Sequence, residues 1–194
     1  MGFDDSLKNK AVEIEKLVFL VQQGDQDSFA KLYDIFINPI YKYVFYRVKD
    51  GDAEDIVENV FLKVWENIRK YQPQKNMFSA WIFRIAHNLV VDYYRSAKDK
   101  AYDELDPQTP ENRREHNPIR NTENSLDQQV LKIALSKIKK QYQDIILYKF
   151  VNELSNKEIS DILGKSEGSL RILQFRALKA LKKELEDVGA KYEF

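Results

Sequence analysis

LSNKEISDILGKSEGSLRILQFRALK, residues 154–179, is the stretch that decides the fold. Ser155 followed three residues later by Glu158 predicts a capping box, the reciprocal side-chain bonding that starts a helix. Ile159, Ile162 and Leu163 then recur at helical spacing and form one buried stripe. Gly164 stands where that helix must end in a left-handed residue, a conformation glycine adopts at least cost. Ser166 is placed to cap a second helix, with Glu167 beside the positive end of its dipole. Leu170, Leu173, Ala177, Leu178 and Leu181 make the inner stripe of that helix, leaving Ser169, Arg171, Phe175, Arg176 and Lys179 outside. Two short helices around a tight turn, the second cationic on its outer face, have the form that a helix-turn-helix inserts into a major groove. The same pattern also describes an ordinary helical hairpin with a solvated charged face.

Upstream, the chain reads as further helices. Ile14, Leu17, Val18 and Val21 mark the first, ended by Gly24. Residues 26–48 carry Phe29, Leu32, Tyr33, Phe36, Ile40, Tyr43, Val44 and Arg47, with Pro39 predicting a kink or break. After a turn at 49–51, Asp52 is placed as a cap, with Glu54 and Asp55 in the first turn. Val57, Val60, Phe61, Val64, Trp65 and Ile68 follow as a regular apolar stripe. A loop over 70–77 contains Tyr71, Pro73 and Asn76, and a fourth helix runs from Phe78 to about Ala97. Its Phe78, Trp81, Ile82, Ile85, Leu89 and Tyr93 fall on one side, with Arg84, His87, Asn88 and Arg95 on the other. Strand-like alternation is missing throughout, so residues 1–97 read as one all-helical domain. Residues 98–125 hold Pro107, Pro110 and Pro118 among acids, Asn and Arg, the composition of a flexible linker that cannot pack a core. Leu126, Val130, Ile133, Ala134 and Ile138, then Ile145, Ile146, Tyr148 and Phe150, resume the helical pattern, and residues 126–194 form a second small domain closed by the helix-turn-helix.

Bulk charge is balanced, 31 basic residues against 31 acidic, and advertises no nucleic-acid partner. Its distribution does. Between Arg69 and Lys100 seven basic residues (Arg69, Lys70, Lys75, Arg84, Arg95, Lys98, Lys100) face two acids (Asp92, Asp99), a local excess of the kind that meets phosphates. The chain contains no cysteine, which excludes disulfides and thiolate zinc sites and fits a reducing, cytoplasmic compartment. No apolar run approaches the length of a membrane span. An enzyme needs a nucleophile with its base, a metal cluster or a cofactor cradle. Only His87 and His116 are histidines, the six glycines are scattered, and the acids near residue 52 lack the spacing of a calcium loop. The expectation is a chain that is not an enzyme and takes no metal or cofactor.

Three blocks stand in a fixed order: Asp52 to Trp65 (DAEDIVENVFLKVW), Phe78 to Arg95 (FSAWIFRIAHNLVVDYYR) and Leu154 to Arg171. Together they resemble the sigma subunit of bacterial RNA polymerase, in its extracytoplasmic-function (ECF) group. The resemblance implies a non-enzymatic factor that joins core RNA polymerase, brings it to particular promoters and helps open the DNA. It places polymerase binding on Asp55, Glu58, Asn59 and Leu62 of the first block. It places minus-ten recognition and melting on Tyr71, Asn76, Arg84, His87, Asn88 and Arg95. Tyr71 and Asn76 are the candidates to meet an extruded base, because a loop can close around it. Minus-thirty-five reading falls to Ser166, Ser169, Arg171, Ile172, Phe175, Arg176 and Lys179. Partners implied are core polymerase, promoter DNA and an anti-sigma factor.

Two departures from the family pattern stand out. Glu58-Asn59 replaces the usual Gln-Glu, displacing the charge by one residue, and Ser160 stands where Ala is usual. The alternative is a stand-alone helix-turn-helix regulator that binds a palindrome as a dimer. Linker length fits the first reading. About 28 residues reach about 95 Å extended, and about twenty base pairs span about 70 Å.

Overall fold

In the computed structural model, residues 3–75, 77–103 and 126–187 are described. They form α1 (Phe3–Gln22), α2 (Gln26–Phe45), α3 (Ala53–Asn67), α4 (Phe78–Asp103), α5 (Leu126–Lys137), α6 (Lys140–Ile146), α7 (Asn156–Leu163) and α8 (Glu167–Asp187). A 3-10 turn, Ile68–Lys70, follows α3, and a π turn, Leu147–Val151, follows α6. No strand occurs among the described residues.

Helices α1 to α4 close around one apolar interior in which Val18, Leu32, Ile40, Val60, Phe78 and Ile82 are buried. Each such side chain contributes about 1.5–3 kcal/mol over its exposed state. That packing explains why α2 runs unbroken through Pro39. Phe36 and Ile40 on either side of it are buried, and their burial offsets the proline's cost of about 3 kcal/mol. Helix α4 continues to Asp103, six residues beyond the end expected near Ala97. No proline or glycine intervenes before Pro107, and an established helix needs no apolar stripe to propagate. The remainder of the expected linker, residues 104–125, lies outside the described residues.

In the C-terminal half α6 and α5 pack on α8, and α7 leans on its start. Leu135, Ile145, Leu147, Ile159 and Leu170 are buried at the centre. The expected stripes are narrower than their sequence pattern. Trp65, Phe150 and Leu178, inner positions by their period, are 45%, 48% and 44% exposed. The two halves touch: α4 lies along α7, and α2 meets the π turn.

Candidate polymerase and nucleic-acid interfaces

Helix α3 presents Asp55, Glu58, Asn59 and Leu62 to solvent, opposite its buried Val57, Val60, Phe61 and Val64. Spacing of three, four and seven residues puts them on one stripe. The Asn59 side-chain amide donates to the carbonyl of Asp55 at 2.7 Å, so Glu58 and Asp55 supply the charge of this face. Leu62 is 54% exposed. Beside it stands an aromatic shoulder that the sequence pattern assigns to the core. Trp65 meets Phe29 edge-on at 4.8 Å, and the half-open Tyr33 leans on Phe61 at 4.6 Å. The stripe's last turn carried the signal: Trp65 lies eight residues after Val57, at the margin of the buried sector. Asp52 does not cap α3 with its side chain. It accepts instead from the Tyr93 hydroxyl at 2.7 Å, tying the start of α3 to α4. Burial and that bond push the Tyr93 phenol up to about 12.

The minus-ten set is divided by the fold. Tyr71, expected in an open loop, is buried. Its hydroxyl donates to Glu15 Oε1 at 2.6 Å, and its carbonyl accepts from Gln22 Nε2 at 3.0 Å. Its ring meets Phe78 and Trp81 at 5.3 and 5.4 Å. The reason is α1, which crosses beneath the loop and supplies the acceptor from 56 residues away. Burial and the Glu15 carboxylate both hold the Tyr71 phenol well above its ordinary range. Asn76 lies outside the described residues. Asn88 and Arg95 are exposed on α4. The ion pair of Arg95 with Asp92, 3.6 Å on the open surface, contributes little. Arg84 and His87 are half-buried and engaged by the C-terminal half.

The helix-turn-helix forms as its residues predict. Glu158 Oε2 accepts from the Ser155 amide at 2.8 Å while Ser155 Oγ accepts from the Glu158 amide at 3.2 Å. Gly164 takes the left-handed φ of 64°. Ser166 Oγ accepts from the Ser169 amide at 3.3 Å and lies 2.9 Å from Ser169 Oγ, so both serines organise the first turn of α8. Arg171, Ile172, Phe175, Arg176 and Lys179 are all exposed. Ser160 has a positive use for its hydroxyl, which donates to the carbonyl of Lys165 and braces the turn between α7 and α8. Gln174 adds a second brace, donating to Asn156 Oδ1 at 2.8 Å.

A polar cluster joins the halves, and sequence reasoning did not foresee it. Arg47 Nη1 lies 3.1 Å from Asp144 Oδ1 and donates to the Lys140 carbonyl and to Gln143 Oε1, each at 3.1 Å. Tyr43 donates to Asp144 Oδ1 at 3.1 Å. The Tyr43 and Tyr148 rings stack at 4.9 Å, and Tyr148 Oη lies 3.1 Å from His87 Nδ1. Burial dominates the titration of this cluster. It depresses His87 below the usual imidazole range, against an opposing pull from Asp144, and raises Tyr43 and Tyr148 far above the phenol range. His87 Nδ1 lies within hydrogen-bond reach of both phenols, 3.2 Å from Tyr43 Oη and 3.1 Å from Tyr148 Oη. The signal was a polar residue at a core position: Arg47 continues the inner stripe of the pattern over 26–48, just past the end of α2, and a buried charge there requires a partner.

Residues 32–100 match the family described as Sigma-70 region 2, and residues 129–181 the family described as Sigma-70, region 4. The chain is 31% identical over 190 residues to the ECF RNA polymerase sigma factor SigW of Bacillus subtilis, an alignment covering 90% of this chain and 98% of SigW. It is 32% identical over 173 residues to the ECF RNA polymerase sigma factor BldN of Streptomyces coelicolor, covering 89% of this chain and 66% of BldN. Among solved structures, the fold is similar to that of CnrH in complex with the cytosolic domain of CnrY, with a TM-score of 0.67 at 19% identity, covering 90% and 98% of the two chains. It is also similar to the sigma factor RpoE of Bartonella quintana in complex with the anti-sigma factor NepR, with a TM-score of 0.66 at 20% identity, covering 81% and 96%.

Proposed function

The chain belongs to the ECF group of sigma-70 family RNA polymerase sigma factors, and on that premise we propose how its surfaces share the work of starting transcription. It binds core RNA polymerase, directs it to specific promoters and promotes opening of the DNA, making and breaking no covalent bond itself. The observation that carries this reading is the alignment with SigW over 98% of that protein's length. A match of that extent to a named polymerase sigma factor favours this reading over a stand-alone regulator. The work is done in the cytoplasm, and no helix among the described residues is long and apolar enough to cross a membrane. As RpoE is held by NepR, an anti-sigma factor is a further partner of this chain.

In this reading residues 1–97 dock on polymerase and open the minus-ten element, residues 98–125 link, and residues 126–194 read the minus-thirty-five element. Docking runs through Asp55, Glu58, Asn59 and Leu62, supported by their shared exposed face on α3. An apolar side chain among acids suits a partner pocket rimmed by cations, where a central anchor carries most of the affinity. Arg84, His87, Asn88 and Arg95 meet the melting strand. Tyr71 acts from behind, fixing the Phe78–Trp81 aromatic group. Ser166, Ser169, Arg171, Ile172, Phe175, Arg176 and Lys179 face the upstream duplex. There an arginine forms paired bonds to guanine or holds a phosphate.

Purified chain and core polymerase test the assignment directly. The wild-type chain is expected to bind core and support run-off transcription from its own promoters. Leu62→Arg should keep its thermal midpoint and weaken core binding at least tenfold. Unchanged affinity for core in Leu62→Arg removes this face from the docking surface.

A further inference from the structure

Helix α1 holds the loop between α3 and α4 at both ends. Glu15 Oε1 accepts from the Tyr71 hydroxyl at 2.6 Å, where the loop begins, and from the Phe78 amide at 3.3 Å, where α4 begins. Two turns further along α1, the Gln22 side-chain amide donates to the carbonyls of Ile68 and Tyr71 at 2.8 and 3.0 Å. A spacing of seven residues puts Glu15 and Gln22 on one face of the helix. Their anchor is firm, because Ile14, Leu17, Val18 and Val21 bury α1 in the N-terminal core.

The start of α4 needs such a partner. The Met77 carbonyl accepts from the Trp81 amide at 3.0 Å, which puts Met77 at the N-cap, a position its thioether serves poorly. The Phe78 amide is one of the donors that a helix start leaves without an internal partner, and a carboxylate 63 residues away accepts from it. An anion there also meets the positive end of the α4 dipole. Burial has a cost: Glu15 Oε2 has no hydrogen-bond partner, and a buried oxygen so placed calls for an explanation. Between the two held ends the chain makes a tight turn, with the Lys75 amide donating to the Gln72 carbonyl at 3.0 Å, and Gln72, Pro73, Gln74 and Lys75 are all exposed. No buried side chain holds this turn, so its pose follows from its ends.

We propose that Glu15 is a positioning residue for strand opening: one carboxylate oxygen, bonded at both ends of the loop, sets the pose in which the Gln72–Lys75 turn and the start of α4 receive single-stranded minus-ten DNA. It acts through the turn rather than on the DNA. This rests on the assignment of α4 to the melting strand. Glu15 and Gln22 both precede residue 32, where the match to Sigma-70 region 2 begins, so the family match gives neither a role. Ordering the turn before the strand arrives removes part of the entropy that binding otherwise costs. Docking on polymerase and reading of the upstream duplex use the faces of α3 and α8, so the effect of Glu15 is confined to opening.

Holoenzyme assembled from the full chain and core polymerase is followed on one promoter, by polymerase recruitment and by permanganate reactivity of unpaired thymines. Glu15→Ala should leave recruitment within about twofold of wild type and lower the reactivity about tenfold, as expected for lost hydrogen bonds to a charged group. Glu15→Gln keeps an acceptor oxygen for both donors and breaks no bond at Oε2, so its reactivity should return to within about twofold of wild type. Tyr71→Phe removes the hydroxyl alone and should lower the reactivity about threefold. Wild-type reactivity in folded Glu15→Ala overturns the proposal. So does an equal proportional loss of recruitment and reactivity, which a merely structural tie would give, or a loss in Glu15→Gln as deep as in Glu15→Ala. Should Glu15→Ala fail to fold by far-ultraviolet circular dichroism, Tyr71→Phe decides: wild-type reactivity overturns the proposal, and lowered reactivity with recruitment kept supports it. Asn88→Ala, exposed on α4, judges the premise separately. Unchanged opening there removes the reading of α4 and the proposal with it, whereas reduced opening there beside wild-type opening in Glu15→Ala removes the proposal alone.

Discussion

The interior of the N-terminal half and the seam between the halves are built from opposite materials. Inside, Val18, Leu32, Ile40, Val60 and Ile82 are buried side chains that carry no polar group to satisfy. At the seam a buried guanidinium, a carboxylate and two phenols meet a half-buried imidazole, with the Phe83 ring edge-on to both phenols. Apolar burial stabilises in proportion to area and is indifferent to detail. A buried ion pair contributes little net stability, because desolvation opposes it, yet it tolerates no wrong partner. Even here the satisfaction is incomplete, since Arg47 Nε is buried without a hydrogen-bond partner. The difference teaches that the first contact holds a fold together and the second selects one arrangement of two folded pieces.

The largest effect belongs to the interior. Ile82→Ala removes a side chain that is 1% exposed and should cost about 2–5 kcal/mol in urea unfolding, the transfer loss plus a cavity. An unfolding free energy of Ile82→Ala equal to that of the wild type would break the contrast between core and seam.

The smaller effect belongs to the seam and to pH. His87 faces Tyr43 of α2, Asp144 of α6 and Tyr148 of the π turn, and the charge of Arg47, just past the end of α2, also acts on it. Its pKa is lowered in the folded chain, mainly by burial. The unfolded chain thus binds more protons as the pH drops through and below the ordinary value near 6.5. Stability from the neutral imidazole is fully present above that value and is lost as pH falls through the lowered one, with a slope of at most about 1.4 kcal/mol per pH unit. Both phenols stay neutral throughout. Thermal midpoints of the wild type should fall between pH 7 and 5.5 more steeply than those of His87→Gln. Parallel curves would show that His87 is hydrated in the folded chain.

Local rules made half of this legible. The Ser155–Glu158 box, the left-handed Gly164, the inner stripe of α3 and the exposed Leu62 depend on residues within a few turns of one another. What escapes such rules is non-local. Tyr71 is buried because Glu15 reaches it from α1, and Asp52 leaves its capping role because Tyr93 offers it a proton from α4. Trp65 and Leu178 read as core by period, but a period does not say where the neighbouring helix stops. Asp144 and Arg47 lie 97 residues apart, and no spacing pairs them. Arg47 alone gave a hint, as a cation in an apolar stripe.

The central claim is that two DNA-facing surfaces do different work, and one promoter followed in two ways tests it. Arg171→Ala and Arg176→Ala should each weaken polymerase recruitment, by about 1–3 kcal/mol where the arginine bonds a base edge. Asn88→Ala, exposed on α4, should leave recruitment near wild type and reduce the permanganate reactivity of unpaired thymines. Equal proportional loss of recruitment and opening in all three variants would contradict the division of labour between the two halves.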